Sequence, residues 1–384
     1  LIRNIFGPDH DQFRDLVRSW ADEHVSPRTQ GWDEARLIDR ETWRLAGRLG
    51  LIGLGVDERY GGGGQAGDYR FRVVVAEELA RVGATALDSS FSLQDDIVLP
   101  YLVDLGTEEQ RQRWLPGSCS GELIGAIAMT EPGAGSDLRG LRTTAVRDGA
   151  GWLVSGSKTF ITSGVQCDYV IVVARTGGGH GDPDGLSLLV VERDTPGFTR
   201  GRQLNKVGQH GQDTAELFFD NARVPLSNVL GEPGQGLTYL KQRLPRERLS
   251  IAVSAQATAR AALRWTVEHT RNRQAFGARL ADQQTVRFAL AEMATEIDVT
   301  QSFLDDAVLA LNDGTLTAVD AAKAKWWATE LQTRVVDRCV QLHGGYGYML
   351  EYPIARAFAD GRVRTIYGGA TEIMKVIIGQ DIVR

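Results

Sequence analysis

Five short segments bring together residue types that can do chemistry. The first, Ala128-Met-Thr-Glu-Pro-Gly-Ala-Gly-Ser-Asp137, follows an apolar, strand-like run over Leu123–Ala128 and is dense in small residues and donors. Its glycines let backbone approach a planar or phosphorylated ligand closely; a tight turn between strands has the same composition. The second, Lys158-Thr-Phe-Ile-Thr-Ser-Gly164, sets an aromatic ring beside two hydroxyls. That suits stacking on a ring system and bonding its edge, and it equally suits a half-buried strand running into a turn. In the third, Gln341-Leu-His-Gly-Gly-Tyr-Gly-Tyr348, Gly344 reads as a helix C-cap and the rest as a loop laid against something flat. The fourth, Arg271-Asn-Arg-Gln-Ala-Phe-Gly277, is either a solvated helix end or a pyrophosphate clamp. The fifth, Leu244-Pro-Arg-Glu-Arg-Leu249, places Pro245 inside a helical stretch, where it removes an N–H and clashes with the preceding turn. The resulting kink directs a neighbouring side chain into a cavity. Glu247, between Arg246 and Arg248, is then either a solvated ion-pair residue or a carboxylate base.

Three regions of different periodicity must position these segments. From about residue 9 to 120 the pattern is helical, with apolar residues at three- and four-residue steps over Glu41–Leu54 and Phe71–Val82. Gly61–Gly64 between them reads as a plain loop, since no strand precedes it in a phosphate-binding context. From about 122 to 230, short β-rich runs at Tyr169–Ala174, Leu186–Val191 and Ala215–Phe219 alternate with turn residues, and Gly177–Gly185 reads as a polar hairpin or loop. That is the pattern of a small antiparallel sheet or barrel. From about 235 the helical signal returns. Val286, Leu290, Met293, Ile297, Leu304, Val308 and Leu311 form one stripe. A capping box at Thr317-x-x-Asp320 precedes a second stripe of Ala324, Trp327, Leu331, Val335, Cys339 and Leu342. Two long helices at near-heptad spacing predict an antiparallel bundle. Strands never alternate with helices, so no dinucleotide fold is implied. The expected class is α+β: a helical domain over 1–121, a β-barrel-like domain over 122–234 and a four-helix bundle over 235–384.

Composition narrows the partners. The net charge is −6 and no basic run tracks a phosphate backbone, which excludes a general nucleic-acid binder. An anionic ligand must be held by local arginines and backbone N–H groups. Cys119, Cys167 and Cys339 are far apart and match no metal or redox spacing, and the six histidines form no HxxxH pair, so no metal is expected. No apolar run reaches the roughly 18 residues of a membrane span. The chain starts at Leu1 without an initiator Met or the basic-then-apolar order of a signal peptide. The expected location is the cytoplasm.

The joint order of the segments carries more than any one of them. MTEPGAGSD (129–137), QLHGGYGYMLEYPIARAFAD (341–360) and IYGGATEIMK (366–375) resemble the two signatures of the acyl-CoA dehydrogenase family. QDTAELFFD (212–220) and LPRERL (244–249) are especially similar to its long-chain branch. The resemblance covers essentially the whole chain. It implies non-covalent FAD and oxidation of an acyl-CoA to its trans-2-enoyl-CoA, with hydride leaving the β-carbon for flavin N5. Electron-transfer flavoprotein is the implied electron acceptor, and a homodimer or homotetramer the implied assembly. The same reaction on an acyl-carrier-protein thioester, a flavin monooxygenase on this scaffold, and a non-enzymatic acyl-thioester-binding protein are the competing readings.

Residue by residue, the resemblance implies that Ile127, Met129, Thr130, Gly135 and Ser136 meet the isoalloxazine edge, Ser136 also lying beside the phosphopantetheine arm. Phe160, Ile161 and Thr162 stand where the family has Trp-x-Thr; Phe keeps the stacking area and loses an indole donor. Arg273, Phe276 and Gln284 would hold the pyrophosphate and adenosine part of FAD for a neighbouring subunit, completed by Gln341, Leu342, Gly344 and Gly345. Thr371 and Glu372 follow the second signature, where the family's preceding Thr is Ala370. Thr238, Pro245, Arg246, Arg248 and Gly369 are the implied substrate contacts. Many members carry the catalytic glutamate at the position of Gly368; this chain has Tyr367-Gly368-Gly369 and cannot. In the long-chain and isovaleryl branches the glutamate comes from another helix, which implies Glu247, leaving Gly368 a backbone N–H at the thioester oxygen beside a ribityl hydroxyl. The helix around Ser89–Tyr101 is expected to line the far end of the acyl tunnel.

Overall fold

Stripes of tryptophan and aliphatic residues fold the first third of the chain into helices. In the computed structural model, which describes residues 3–178 and 185–383, these are α1 (Pro8–Trp20), α2 (Thr29–Ala35), α3 (Arg40–Arg48), α4 (Arg70–Arg81), α5 (Thr85–Ser92), α6 (Leu99–Leu105) and α7 (Glu108–Cys119). Trp20, Trp43, Leu79 and Phe91 meet in their core. The helical reading of Glu41–Leu54 holds only to Arg48, because Gly50 takes φ +68 and turns the chain out of the helix. The run Ser89–Tyr101 is not one α-helix either: residues Leu93–Val98 form a π-helical turn between α5 and α6. Pro100 has no N–H to return to the Asp96 carbonyl, which favours that wider turn.

The middle of the chain forms an eight-stranded sheet. Its strands are β1 (Gly125–Ala128), β2 (Thr144–Asp148), β3 (Gly151–Thr162), β4 (Tyr169–Arg175), β5 (Leu186–Glu192), β6 (Phe198–Gln203), β7 (Thr214–Pro225) and β8 (Val229–Leu230). The order is β6-β7-β3-β2-β4-β5-β8, with β1 also on β4. The expected antiparallel pairing is broken at two joins, where β1 and β2 both meet β4 in parallel. The β2–β3 hairpin and its flanks give the chain room for that crossover. Strands β4 and β5 are buried on both faces almost throughout, which explains their unbroken apolar sequence. The stretch 177–185 is described only at its ends, residues 179–184 lying outside the described residues.

Three long helices, α8 (Gly236–Asn272), α9 (Gln284–Asn312) and α10 (Ala318–His343), pack on one another in the last third. A two-stranded hairpin, β9 (Gln274–Ala275) and β10 (Ala278–Arg279), joins α8 to α9; α11 (Pro353–Gly361) and α12 (Thr371–Ile382) pack on α10. Thr317 caps α10 by accepting from the Asp320 N–H at 3.0 Å. The second stripe holds except at Trp327, which is 43% exposed and donates to Thr300 Oγ1 at 2.8 Å. Helix α4 packs along α8, and this contact brings the first third of the chain against the segment that carries Glu247.

Candidate active site

Helix α8 continues through Pro245 and carries Glu247 into the interior, where it is 3% exposed. The Tyr101 hydroxyl, on α6, donates to Glu247 Oε1 at 3.2 Å. Neither flanking arginine is spent on the carboxylate. Arg246 turns the other way: its Nη2 donates to the Asp95 carbonyl at 3.1 Å, its Nε lies 3.7 Å from Asp96 Oδ1, and its guanidinium covers the Tyr69 ring. Asp96 is also met by Arg72 at 3.3 Å, which in turn pairs with Asp88 at 2.8 Å. Arg248 donates from Nε to the Gly368 carbonyl at 3.4 Å. The solvated ion-pair reading of Glu247 therefore does not describe it, and Arg246 is a strut to the π-helical turn. Burial pushes the Glu247 carboxyl up to about 7, against the lowering pull of the Tyr101 hydroxyl and the Arg248 charge. A carboxyl that titrates near neutrality is suited to taking a proton from carbon.

Tyr101 stabilises the charged form of Glu247, so its removal has a defined sign. Tyr101→Phe is expected to raise the proton affinity of Glu247 and to move the acid limb of kcat/KM upward by about one pH unit. A limb that stays in place or moves down in the measured pH profile would count against this contact.

The Tyr367-Gly368-Gly369 turn faces the same helix. Gly368 has φ +66 and Gly369 φ +99, conformations that side chains rarely adopt. A Cβ at 368 would collide with Ile251 Cδ1, and one at 369 would meet Met374 Cε at 2.6 Å. A side chain at 368 would need the Ile251 terminal methyl to move and would sit on a strained backbone. The Gly368 N–H has no hydrogen-bond partner among the described residues, which leaves it free to donate to a ligand.

On the β side, Met129 and Thr130 leave the end of β1, next to Ile127, and run into a tight turn in which Glu131 and Ala134 exchange backbone hydrogen bonds at 2.9 and 3.1 Å. The tight-turn reading of this segment is met, and the turn also docks on β3. Thr159 N–H donates to the Thr130 carbonyl at 3.0 Å, and the buried Lys158 ammonium bonds the Met129 carbonyl at 3.1 Å and Glu131 at 2.8 Å. A β-bulge between Lys158 and Ile161 puts Phe160 at φ +59, so its ring is 69% exposed while Ile161 is buried. Gly135 and Ser136 are exposed in the same turn, Thr162 is half-buried, and a Cβ at Gly135 would touch nothing. An open aromatic face flanked by hydroxyls and free backbone fits the isoalloxazine part of FAD.

The other candidate residues gather at the far end of the bundle. Arg273 caps α8 and stands over the Tyr346 ring; Phe276, at the tip of the β9–β10 hairpin, is 101% exposed; Gln284 opens α9. Gln341 and Leu342 end α10, Gly344 takes φ +60 beyond it, and Gly345 follows. His269 and His343 stack at 4.4 Å beneath them. This group is 26 residues further along α8 than Glu247, or about 39 Å of helix. Thr371 and Glu372 are the first two residues of α12, and Thr238 is exposed on the first turn of α8. Arg246 is engaged by Asp95 and Asp96 rather than by Glu247.

Sequence reasoning gave no role to Tyr101, Lys158 or Lys325. The detectable signal was a lysine at a position that strand or helix periodicity assigns to the interior; for Tyr101 there was none. Cys119, Cys167 and Cys339 are buried free thiols, no group of side chains able to hold a metal exists among the described residues, and no described helix is long and apolar enough to cross a membrane.

Known proteins agree with this architecture along the whole chain. Family models of the acyl-CoA dehydrogenase N-terminal, middle and C-terminal domains match residues 7–122, 126–222 and 234–383. The chain is 48% identical over 383 residues to the mitochondrial long-chain specific acyl-CoA dehydrogenase of Sus scrofa, covering 100% of this chain and 88% of that protein. It superposes on the crystal structure of an acyl-CoA dehydrogenase from Geobacillus kaustophilus with a TM-score of 0.95 and 46% identity, covering 99% and 100% of the two chains. A glutaryl-CoA dehydrogenase from Mycobacterium smegmatis, solved in complex with FADH2, matches at a TM-score of 0.92 and 28% identity over 98% of this chain and 95% of that one. The chain is an oxidoreductase that belongs to the acyl-CoA dehydrogenase family, which is FAD-dependent.

Proposed function

We propose that this protein catalyses α,β-dehydrogenation of an acyl-CoA thioester to the trans-2-enoyl-CoA, with Glu247 as the base that takes the α-proton. The observation that carries the proposal is a buried carboxyl at 247, raised to about 7 and ion-paired with neither neighbouring arginine, in a chain whose residue 368 is a glycine with no carboxylate to offer. Bound FAD supplies the hydride acceptor at N5. The residues present do the rest. Met129, Thr130, Gly135, Ser136, Phe160, Ile161 and Thr162 hold the ring system. Burial of Glu247 shields it from bulk water and keeps its basicity near the task. Gly368 N–H would donate to the negative charge that develops on the thioester oxygen, bound FAD could add a hydroxyl donor there, and each such donor would contribute about 3–4 kcal/mol. Ser136, Thr238, Pro245, Arg248 and Gly369 line the thioester arm.

The separation of Arg273 and Gln341–Gly345 from Glu247 along the bundle supports a homodimer or homotetramer in which each copy holds the adenosine end of another's FAD. Phe288, Val299 and Phe303 on α9 and Phe276 beside it expose apolar surface suited to that contact. Electron-transfer flavoprotein is the proposed acceptor. The chain divides at 121 and 234, where α7 gives way to β1 and β8 to α8. Three buried free thiols suit a reducing compartment such as the cytoplasm.

The test is anaerobic turnover with straight and branched acyl-CoAs from four carbons upward, each also offered on an acyl-carrier protein, with an artificial electron acceptor. Turnover of medium to long or branched acyl-CoAs is expected. Activity on the carrier-bound form alone, or reoxidation of the reduced enzyme by air with oxygen insertion, would replace this reading.

A further inference from the structure

A buried lysine without a carboxylate partner is costly to the fold and calls for an explanation. Lys325 on α10 is 0% exposed, and its Nζ donates to the Gly369 carbonyl at 2.5 Å. No ion pair of Lys325 occurs among the described residues; the charges that bear on it are Arg248 from α8 and Glu372 from α12. One residue earlier in the same turn, Arg248 bonds the Gly368 carbonyl. Two cations from two helices thus grip consecutive carbonyls of a turn that has no side chain of its own at 368 or 369. Their charge also matters, because the Gly368 and Gly369 N–H groups of that turn have no hydrogen-bond partner among the described residues. We propose that Lys325 is a positioning residue for the dehydrogenation: by holding the Gly369 carbonyl it aims the Gly368 N–H at the thioester oxygen, and its charge favours the negative charge that grows there.

The proposal rests on the dehydrogenase reading above and adds to it a group that touches neither substrate nor cofactor. Burial and the Arg248 charge bring the Lys325 ammonium down to about 8, so the grip weakens as the medium becomes alkaline. Below that pH the ammonium is present and the turn is held. Above it a neutral amine remains, a poorer donor without charge.

The experiment compares Lys325→Met and Lys325→Gln with the wild-type holoenzyme. It uses anaerobic stopped-flow bleaching of the flavin by an acyl-CoA the wild type accepts, titration of the same acyl-CoA's binding, flavin content and thermal midpoint. Loss of one oxyanion donor lowers rates about 100- to 1,000-fold, and loss of its support should do less. Lys325→Met is expected to slow bleaching about 10- to 100-fold with binding changed less than about threefold. Lys325→Gln, which still donates to the carbonyl but carries no charge, should recover part of the rate and lack the alkaline limb near pH 8. Unchanged bleaching in Lys325→Met, or a loss of rate matched by equal losses of binding and flavin, would overturn the positioning role. If Lys325→Met does not fold, Lys325→Gln decides: a wild-type rate and an intact alkaline limb overturn the proposal. A wild type that no acyl-CoA bleaches removes the dehydrogenase reading itself and this proposal with it.

Discussion

Glu247→Gln is expected to slow flavin bleaching by acyl-CoA about 100- to 10,000-fold while stabilising the protein at pH 8. The first half follows from chemistry: Gln is nearly isosteric and accepts the Tyr101 hydrogen bond, but it cannot take the α-proton. Binding of FAD and acyl-CoA should survive. The second half follows from linkage. Burial raises Glu247 from 4.5 to about 7, so between those values the folded state holds a proton that the unfolded state has lost. Stability therefore falls as pH rises through this window, and above about 7 the full penalty is present, on the order of 3 kcal/mol. Gln escapes it, though its unpaired amide N–H returns about 1–3 kcal/mol of that gain. The thermal midpoint of Glu247→Gln relative to wild type should thus be higher at pH 8 than at pH 4.5. A merely structural glutamate would lose stability on replacement at both. The wild-type kcat/KM should fall about tenfold per unit below pH 7, since only the carboxylate is a base. Near-wild-type bleaching in the variant would send the search for the base elsewhere around the flavin.

Much of the layout could be read before any coordinates, and the failures have specific physical causes. The α9 stripe from Val286 to Leu311 and the Thr317 cap are local patterns, set within a few turns of helix, and local patterns survive folding. The stop of α3 at Arg48 was overlooked because apolar spacing continues past it, while the deciding residue, Gly50, acts through φ rather than hydrophobicity. The π-helical turn at Leu93–Val98 depends on Pro100 and on packing against α8, and periodicity at this length does not register it. The parallel joins of β1 and β2 to β4 are long-range pairings, invisible to strand composition.

At the site the division is similar. Glu247 stood out as a candidate through the resemblance, a neighbouring proline and the glycine at 368, whereas its hydrogen-bond partner Tyr101 lies 146 residues away and only the fold joins them. Arg246 sits beside Glu247 in sequence, yet helix geometry points successive side chains about 100° apart, and the Asp96 carboxylate captures it. Adjacency in sequence was a poor guide to shared function there. Lys158 and Lys325 carry the same lesson: a lysine reads as a surface residue until its buried acceptors are known.

Lys158→Met is expected to cost about 3–5 kcal/mol of stability and most of the bound flavin, because it strands a buried carboxylate. Lys158 and Glu131 are both buried and meet at 2.8 Å, and Glu131 also accepts the Arg142 and Thr143 N–H groups at 2.7 and 2.9 Å. Those partners hold Glu131 below the usual carboxylate range, while burial draws Lys158 down to about 8 despite Glu131. At neutral pH the pair is ionised. Removing the cation leaves the buried carboxylate with only the Arg142 and Thr143 donors, and the Met129 carbonyl loses its hydrogen bond to the lysine. The double variant Lys158→Met with Glu131→Gln separates the two consequences. With no stranded charge it should regain more than half of the lost thermal stability, since neighbouring sites in one network are not additive. It should still retain flavin poorly on dialysis, because only the Thr159 N–H bond to the Thr130 carbonyl then ties the 129–137 turn to β3. Full flavin retention in the single variant would show that the turn holds its shape without the lysine, and equal instability in single and double variants would mean that the stranded charge is not the cause.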